Sequence, residues 1–498
     1  MPSAILKKIL QNSSNCPNKT AVKFQEKKIT YKNLKIGIND CKNFIQTHNI
    51  NISGLDIENS PQWICFDLAL LDLEITNIPI PFFFSSNQKN HLIADSKLNF
   101  IITDKPEEYL EKGYLIESNF NLFGKALFLI KIREDGLNIG VSKITYTSGT
   151  TGNPKGVCLT EENLSNTVIS IVESLDIDSN DVHFSSLPFS VLLENIAGVY
   201  LPLIIGAQIF IPPRNLLDFG SPSVDYQSIV LMMNEARATT TIFVPQQFYL
   251  FVNAAKKNNA LDTMRYIAVG GASVSKLYLS LAEKLNIPVF QGYGMSESAS
   301  VISINNTTNN KLGTVGKPLS HIDIKIDTDG EILIKGNLFK GYLNSDQLIV
   351  DKNGYFKTGD IGEFDNNGYL SIIGRKKNVF VNSYGRNISP EWIEEQLSSF
   401  PEILQSAVFG ESQSSCSAVI YSNQFNKIDS IIEQINLSLP DYARIQKWIK
   451  AKEPFLMENK QLRPSGVVDR SVIWHLYKGK LFNYELGNIK EIKNEKIL

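Results

Sequence analysis

The stretch YTSGTTGNPKG, Tyr146–Gly156, decides how this chain is read. It holds three glycines, four serine or threonine hydroxyls, one proline and one lysine, and nothing large and apolar after Tyr146. Such a segment adds nothing to a core. VSKITY (141–146) before it alternates like a strand, and GVCLT (156–160) after it is also β-like. A helix then starts at Thr160, with Leu164, Val168, Ile171, Val172 and Leu175 on one face. The stretch is therefore expected to link two strands. The G-x-x-x-x-G-K-[ST] loop, which opens a helix, does not fit: Pro154 stands five positions after Gly149, and Lys155 precedes Gly156. The dinucleotide fingerprint G-x-G-x-x-G is absent from it as well. The chemistry still points to phosphate. Glycines let backbone N–H groups approach oxygens closely, hydroxyls add donors, and one lysine supplies charge.

The 498 residues suggest about three domains by length alone, although large α/β units absorb more. A composition of 43% hydrophobic and 20% charged residues is that of a soluble globular protein. With 49 basic and 51 acidic residues there is no electrostatic case for nucleic acid or a strongly anionic membrane. Five scattered cysteines with no C-x-x-C argue against a disulfide framework or zinc site and for a reducing compartment. The N-terminus, MPSAILKKIL, is too short an apolar run for a signal peptide. The most apolar region, WICFDLALLDLEITNIPIPFFF, is broken as a membrane span by Asp67, Asp72 and Glu74. No transmembrane segment is expected, the location is expected to be cytoplasmic, and peripheral membrane contact stays open.

Up to about residue 300, β-rich runs such as TTTIFVP (239–245), YIAVGG (266–271) and IPVFQGYG (287–294) alternate with helical periodicity, as in largely parallel α/β layers. From about 313 to 374, short strands joined by Asn/Asp-Gly turns suggest a small β-rich subdomain. A compact α+β unit follows, its helix signal SPEWIEEQL having Ser389 as N-cap and Pro390 at the first position. The expected architecture is a large N-terminal α/β domain over 1–374, two α/β layers plus the β-rich subdomain, and a small mobile α+β domain over 375–498.

The ordered stretch at 146–156 resembles the phosphate loop of the adenylate-forming superfamily, which includes acyl-CoA synthetases, adenylation domains and luciferases. VGGASVS (269–275) resembles the family's adenine-side loop, and QGYGMSES (291–298) its Y-G-x-T-E motif, with Ser296 for the usual threonine. YFKTGDIGEF (355–364) carries the T-G-D element, and GRKKNVFVNSYGRNISPEWIEEQL (374–397) resembles the hinge and the start of the small domain. The resemblance covers nearly the whole chain. It implies a luciferase-like fold using ATP, Mg²⁺ and CoA. Thr147, Ser148, Gly149, Thr150, Thr151, Gly152 and Lys155 are expected on the phosphates. Gly271, Gln291, Gly292, Tyr293 and Ser296 are expected on the base side, Asp360 on the ribose hydroxyls, and Arg375 and Lys377 on nucleotide oxygens. Glu297 and Thr147 are expected at the metal, and Lys377 at the hinge.

The residue types suit these roles. Tyr293 offers an aromatic face to a purine, and Glu297 a hard oxygen to Mg²⁺. Asp360 can accept from a diol, and Arg375 is a bidentate donor. The chain departs from the pattern in two places. Val381 stands where long-chain members commonly have lysine, and in LRPSGVVDR (462–470) Val467 replaces the family's lysine. Lys460, with Arg463 and Arg470, is the expected source of the missing charge, so the catalytic set expected is Lys155, Glu297, Lys377 and Lys460. SSLPFSVLLENIAGVYLPLIIGA (185–207) resembles long-chain acyl-CoA synthetases, which implies a fatty or other hydrophobic carboxylic acid. CoA is the expected acceptor. Alternatives are a carrier protein or other acceptor, or a nucleotide- or acyl-AMP-binding protein with weak or no adenylation.

Overall fold

The two strands beside the glycine-rich stretch, Lys143–Thr147 and Lys155–Leu159, pair antiparallel, with Tyr146 opposite Gly156 and Thr147 opposite Lys155. Gly156 has to be small. A Cβ there would lie 2.9 Å from Ile144 Cγ2 and 3.3 Å from the Tyr146 ring. The computed structural model describes residues 3–136, 140–147, 154–214, 224–256, 262–272, 274–345, 350–463 and 467–481. Ser148, Gly149, Thr150, Thr151 and Gly152, expected on the phosphates, lie outside the described residues. The chain divides into two compact units, Met1–Lys377 and Asn378–Leu498.

The first unit holds three main sheets. An eight-stranded mixed sheet contains the strand pair above. Its short edge strand Gly341–Tyr342 pairs with Lys155–Leu159, and Ile52–Asp56 lies parallel to Thr76–Pro79 and to Phe100–Thr103. A nine-stranded sheet carries Val182–Phe184, Thr240–Phe243, Tyr266–Val269 and Val289–Tyr293 side by side and parallel. The third sheet has four antiparallel strands, Ile322–Ile326, Glu331–Gly336, Phe356–Phe364 and Leu370–Arg375. Helix Glu161–Ser174 starts where expected, with Thr160 and Asn163 forming a capping box and Leu164, Val168 and Ile171 buried. Within the 185–207 segment the chain is wound wide: Glu194–Tyr200 is a π-helical turn that tightens to an α-helix over Leu201–Ile205.

That turn is fastened by a buried polar network. Lys143 Nζ donates to Asp67 Oδ1 at 2.7 Å, to Tyr200 Oη at 3.0 Å and to Asn195 Oδ1. Asp67 Oδ1 also accepts from Asn77 at 2.6 Å, and Oδ2 accepts from Asn195 at 2.9 Å and Tyr200 at 2.7 Å. All three ammonium hydrogens and both carboxylate oxygens are engaged, the condition under which a charge can stay buried. Burial pulls the lysine below its ordinary value, and Asp67 opposes that pull.

The second unit packs helices Pro390–Ser398, Ile428–Ser438 and Arg470–Leu481 on a sheet of Ile403–Phe409, Cys416–Ser422 and Ile445–Lys450. Ser389 precedes its helix as expected, but its hydroxyl donates to Glu391 Oε2 at 2.9 Å and caps no backbone N–H. Glu394 accepts from the Val408 N–H at 2.7 Å and from Arg470. Burial pushes this carboxyl up to about 7, against the Arg470 charge.

Asp67→Ala leaves Lys143 buried without its counter-charge, a change that typically costs about 3–5 kcal/mol. A lowered chemical-denaturation midpoint is expected, with partial recovery in Asp67→Ala/Lys143→Met. In the second unit, Glu394 holds its proton more tightly folded than unfolded. Its contribution is therefore fully present below about 4.5 and lost as pH rises through about 7. Tryptophan fluorescence reads this unit, because Trp392, Trp448 and Trp474 lie in it and only Trp63 lies outside. The unfolding midpoint should fall across that window, and Glu394→Gln should flatten the fall.

Candidate active site

The strands Tyr266–Val269 and Val289–Tyr293 are parallel neighbours, and Gly271 and Tyr293 lie at their C-terminal ends, where open α/β sheets bind ligands. Gly271 has φ +87°, open to glycine without strain. After Tyr293 the chain doubles back on itself. A Cβ on Gly294 would fall 1.5 Å from the Ser300 carbonyl oxygen, and Ala299 and Ser300 have φ of 49° and 86°. Ile302 N–H returns to the Tyr293 carbonyl at 2.8 Å. Ser296 and Glu297 ride on the short 3₁₀ turn inside this fold-back.

Two side-chain clusters result. In the first, Tyr293 Oη donates to Asp360 Oδ2 at 2.6 Å, and Arg375 Nε meets Asp360 Oδ1 at 2.7 Å. Asp360 is buried on strand Phe356–Phe364 with Arg375 directly opposite on the next strand. Burial raises the Asp360 carboxyl while Arg375 and the Tyr293 hydroxyl hold it down. A carboxylate has about four acceptor sites, so Asp360 keeps capacity for a diol while its orientation is already fixed. Arg375 also reaches the Thr358 carbonyl at 3.4 Å and keeps further N–H groups for ligand oxygens.

In the second cluster, Tyr342 Oη donates to Glu297 Oε1 at 2.7 Å, and Lys155 Nζ lies 5.4 Å from the centre of the Tyr342 ring. The Glu297 carbonyl accepts from Phe339 N–H at 2.8 Å, so the Phe339–Tyr342 segment holds both its backbone and its carboxylate. Tyr342 is a site residue that sequence reading missed; its signal was the aromatic inside KGYLN (340–344), next to a glycine. Burial and the Glu297 charge both raise its hydroxyl, which therefore remains a donor.

No group of three or more metal-ligating side chains occurs among the described residues. Mg²⁺ needs less than that: one or two carboxylates suffice when phosphates and waters complete the octahedron. Glu297 offers one such carboxylate, held by Tyr342.

The other expected residues are placed as follows. Gln291 is buried, and its Oε1 accepts from Gly313 N–H at 3.1 Å, which ties that loop to the strand. Gly292 packs within the sheet, where a Cβ would lie 3.3 Å from Ile304 and Ser303. Lys377 is exposed at the last position of the first unit. Lys460 belongs to the second unit and is exposed, with a left-handed φ of 61°. Of its neighbours, Arg463 pairs with Asp469 at 3.2 Å and Arg470 with Glu391 at 3.1 Å and with Glu394.

Residues 10–343 match the AMP-binding enzyme family, and the chain belongs to it. Its class is that of AMP-forming acid–CoA ligases, which use ATP, Mg²⁺ and CoA. It is similar to 2-succinylbenzoate–CoA ligase of Bacillus subtilis, 25% identical over 421 residues, covering 81% of this chain and 84% of that protein. It is likewise similar to a long-chain-fatty-acid–CoA ligase of Mycobacterium tuberculosis, 25% identical over 519 residues, covering 83% and 84%. Its fold is that of O-succinylbenzoate coenzyme A synthetase from Bacillus subtilis in complex with AMP, with TM-score 0.77, 22% identity and coverage of 95% and 98%. It also matches ATP-bound MatB from Rhodopseudomonas palustris, with TM-score 0.78, 21% identity and coverage of 96% and 99%. No described helix is long and apolar enough to cross a membrane.

Tyr342→Phe keeps the ring beside Lys155 and removes only the donor to Glu297. Hydrogen bonds to charged groups contribute about 1.5–3 kcal/mol. ATP–pyrophosphate exchange should fall at least about tenfold, with the thermal midpoint little changed.

Proposed function

We propose that this chain activates a hydrophobic carboxylic acid, a fatty acid being the favoured substrate, and passes the acyl group to CoA in the cytoplasm. The observation that carries the reading is the pairing, within one unit, of a Tyr293–Asp360–Arg375 cluster with a Glu297–Tyr342–Lys155 cluster four residues further along the chain. The first suits a nucleoside: an aromatic ring beside a buried, pre-oriented carboxylate. The second suits phosphates: a cation, a hydroxyl-bearing ring and a hard oxygen.

In this reading the substrate carboxylate attacks the α-phosphorus of ATP, forming acyl-AMP and releasing pyrophosphate. A thiol then displaces AMP. Asp360 holds the ribose, Lys155 and Thr147 hold phosphate oxygens, and Glu297 with Thr147 holds Mg²⁺, which offsets charge on the phosphates. Alignment and charge stabilisation supply the rate. Lys377 serves as the hinge between the acyl-AMP-forming and thiol-transfer steps, and Lys460 supplies the charge that Val467 cannot.

The hydrophobic acid is supported by the 185–207 segment. It has no lysine or arginine, and Leu187, Phe189, Leu192, Ile196, Val199 and Leu203 are buried. Its one acidic residue, Glu194, is buried 3.2 Å from His183 Nε2. The relatives named for 2-succinylbenzoate favour a second reading, an aromatic acid with two carboxylates. Such a substrate needs a cation or several donors for its second charge.

A panel of acids with ATP and CoA, read by mass spectrometry, separates the two. With straight-chain acids kcat/KM should rise up to about fourfold per methylene, following ~0.8 kcal/mol for each buried CH₂, and then level off. Preference for 2-succinylbenzoate selects the second reading. Preference for acetate or an amino acid overturns both.

A further inference from the structure

Helix Ser86–Ser96 carries two side chains that hold the feet of the glycine-rich stretch, although neither belongs to it. His91 and Asp95 are four residues apart and so share a face. His91 Nε2 lies 3.1 Å from the Pro154 carbonyl oxygen. A carbonyl only accepts, so Nε2 carries the hydrogen. Asp95 Oδ2 accepts from the Tyr146 hydroxyl at 2.8 Å, and its Oδ1 accepts from Asn344 Nδ2, also at 2.8 Å. Burial and Asp95 both raise the Tyr146 hydroxyl, so it stays protonated and donates.

The anchored residues are the chain neighbours of Thr147 and Lys155, the two described residues among those expected on the phosphates. Tyr146 precedes Thr147 and Pro154 precedes Lys155, and Thr147 and Lys155 face each other across the strand pair. The helix itself is firmly seated. Ser85 and Gln88 close a capping box at its start. Lys89 pairs with Asp56 of the same eight-stranded sheet at 3.1 Å and with Glu108 at 2.7 Å. Leu92 and Ile93 share an apolar cluster with the Tyr146 ring. One helix therefore reaches both ends of the stretch from a fixed base.

We propose that His91 and Asp95 are positioning residues, which set the separation and orientation of Thr147 and Lys155 for the phosphates of ATP. This rests on the functional reading above. Neither residue touches the substrate; each acts through the backbone or ring of a neighbour. Misplacing such groups by about 1 Å is costly, because alignment supplies much of the rate.

The test compares ATP with AMP, which carries one phosphate where ATP carries three. His91→Ala removes the donor. His91→Glu presents only acceptors to the Pro154 carbonyl without leaving a void, and it serves if the alanine variant does not fold. His91→Gln restores an N–H. By calorimetry on the full chain, ATP affinity should fall roughly two- to tenfold in His91→Ala and His91→Glu, the usual scale for one hydrogen bond. It should be retained in His91→Gln, with AMP affinity unchanged in all three. Asp95→Ala should show the same split between ATP and AMP. ATP affinity unchanged in the alanine and glutamate variants overturns the proposal. So does an equal loss for ATP and AMP, or a glutamine variant as weak as alanine. Wild-type protein that binds neither nucleotide overturns the functional reading, and this proposal with it.

Discussion

The buried contact between Lys143 and Asp67 sets the register of the strand on which the site depends. Side chains alternate along a strand, so Lys143, Thr145 and Thr147 share one face of Lys143–Thr147, and Ile144 and Tyr146 take the other. A slip of one residue would set Ile144 against the Asp67 carboxylate and exchange the faces of Tyr146 and Thr147. An uncompensated charge at the centre of the unit forbids that. Well-packed apolar residues often give equal or better stability than a buried ion pair. What this pair adds is a penalty for every wrong pairing.

The site forms where three sheets of the first unit come together. Tyr293 belongs to the nine-stranded sheet, and Asp360 and Arg375 to the four-stranded one. Tyr342 is on the edge strand of the eight-stranded sheet, which also carries Lys155. Hydrogen bonds between side chains, not a continuous ladder, join these sheets at the site: Tyr293 to Asp360, and Tyr342 to Glu297. Each bond couples an aromatic ring to a carboxylate: Asp360 is held also by Arg375, and the Glu297 backbone by Phe339 N–H.

Sequence periodicity disclosed the strands around the glycine-rich stretch, the parallel run through Thr240–Phe243, Tyr266–Val269 and Val289–Tyr293, and the antiparallel pieces after residue 313. Those signals are local: alternation, Gly turns and capping residues act within a few positions. Tyr293, Asp360 and Arg375 were also readable, because each sits in a short recognisable string. Tyr342, His91 and Asp95 were not, since what makes them matter lies far off in the chain. Asp95 meets Asn344 across 249 positions, and His91 meets Pro154 across 63. Nothing near Lys143 in the sequence announces a counter-charge, and only the fold supplies Asp67, 76 positions away, as its partner. Gln291 adds a contact that its string does not announce: its side-chain oxygen accepts from Gly313 N–H, 22 positions on.

The fold-back at Gly294 makes the chain itself a ruler. Tyr293 stands at its entrance and Glu297 inside it, and the Ser300 carbonyl fills the space where any larger residue 294 would place its Cβ. Left-handed residues at 299 and 300 close the curve. Such a bend has no slack, so the span between the ring and the carboxylate is written in residue count and not in side-chain chemistry. A substitution at 296 leaves that span as it is, whereas one residue inserted or deleted between 293 and 300 would change it.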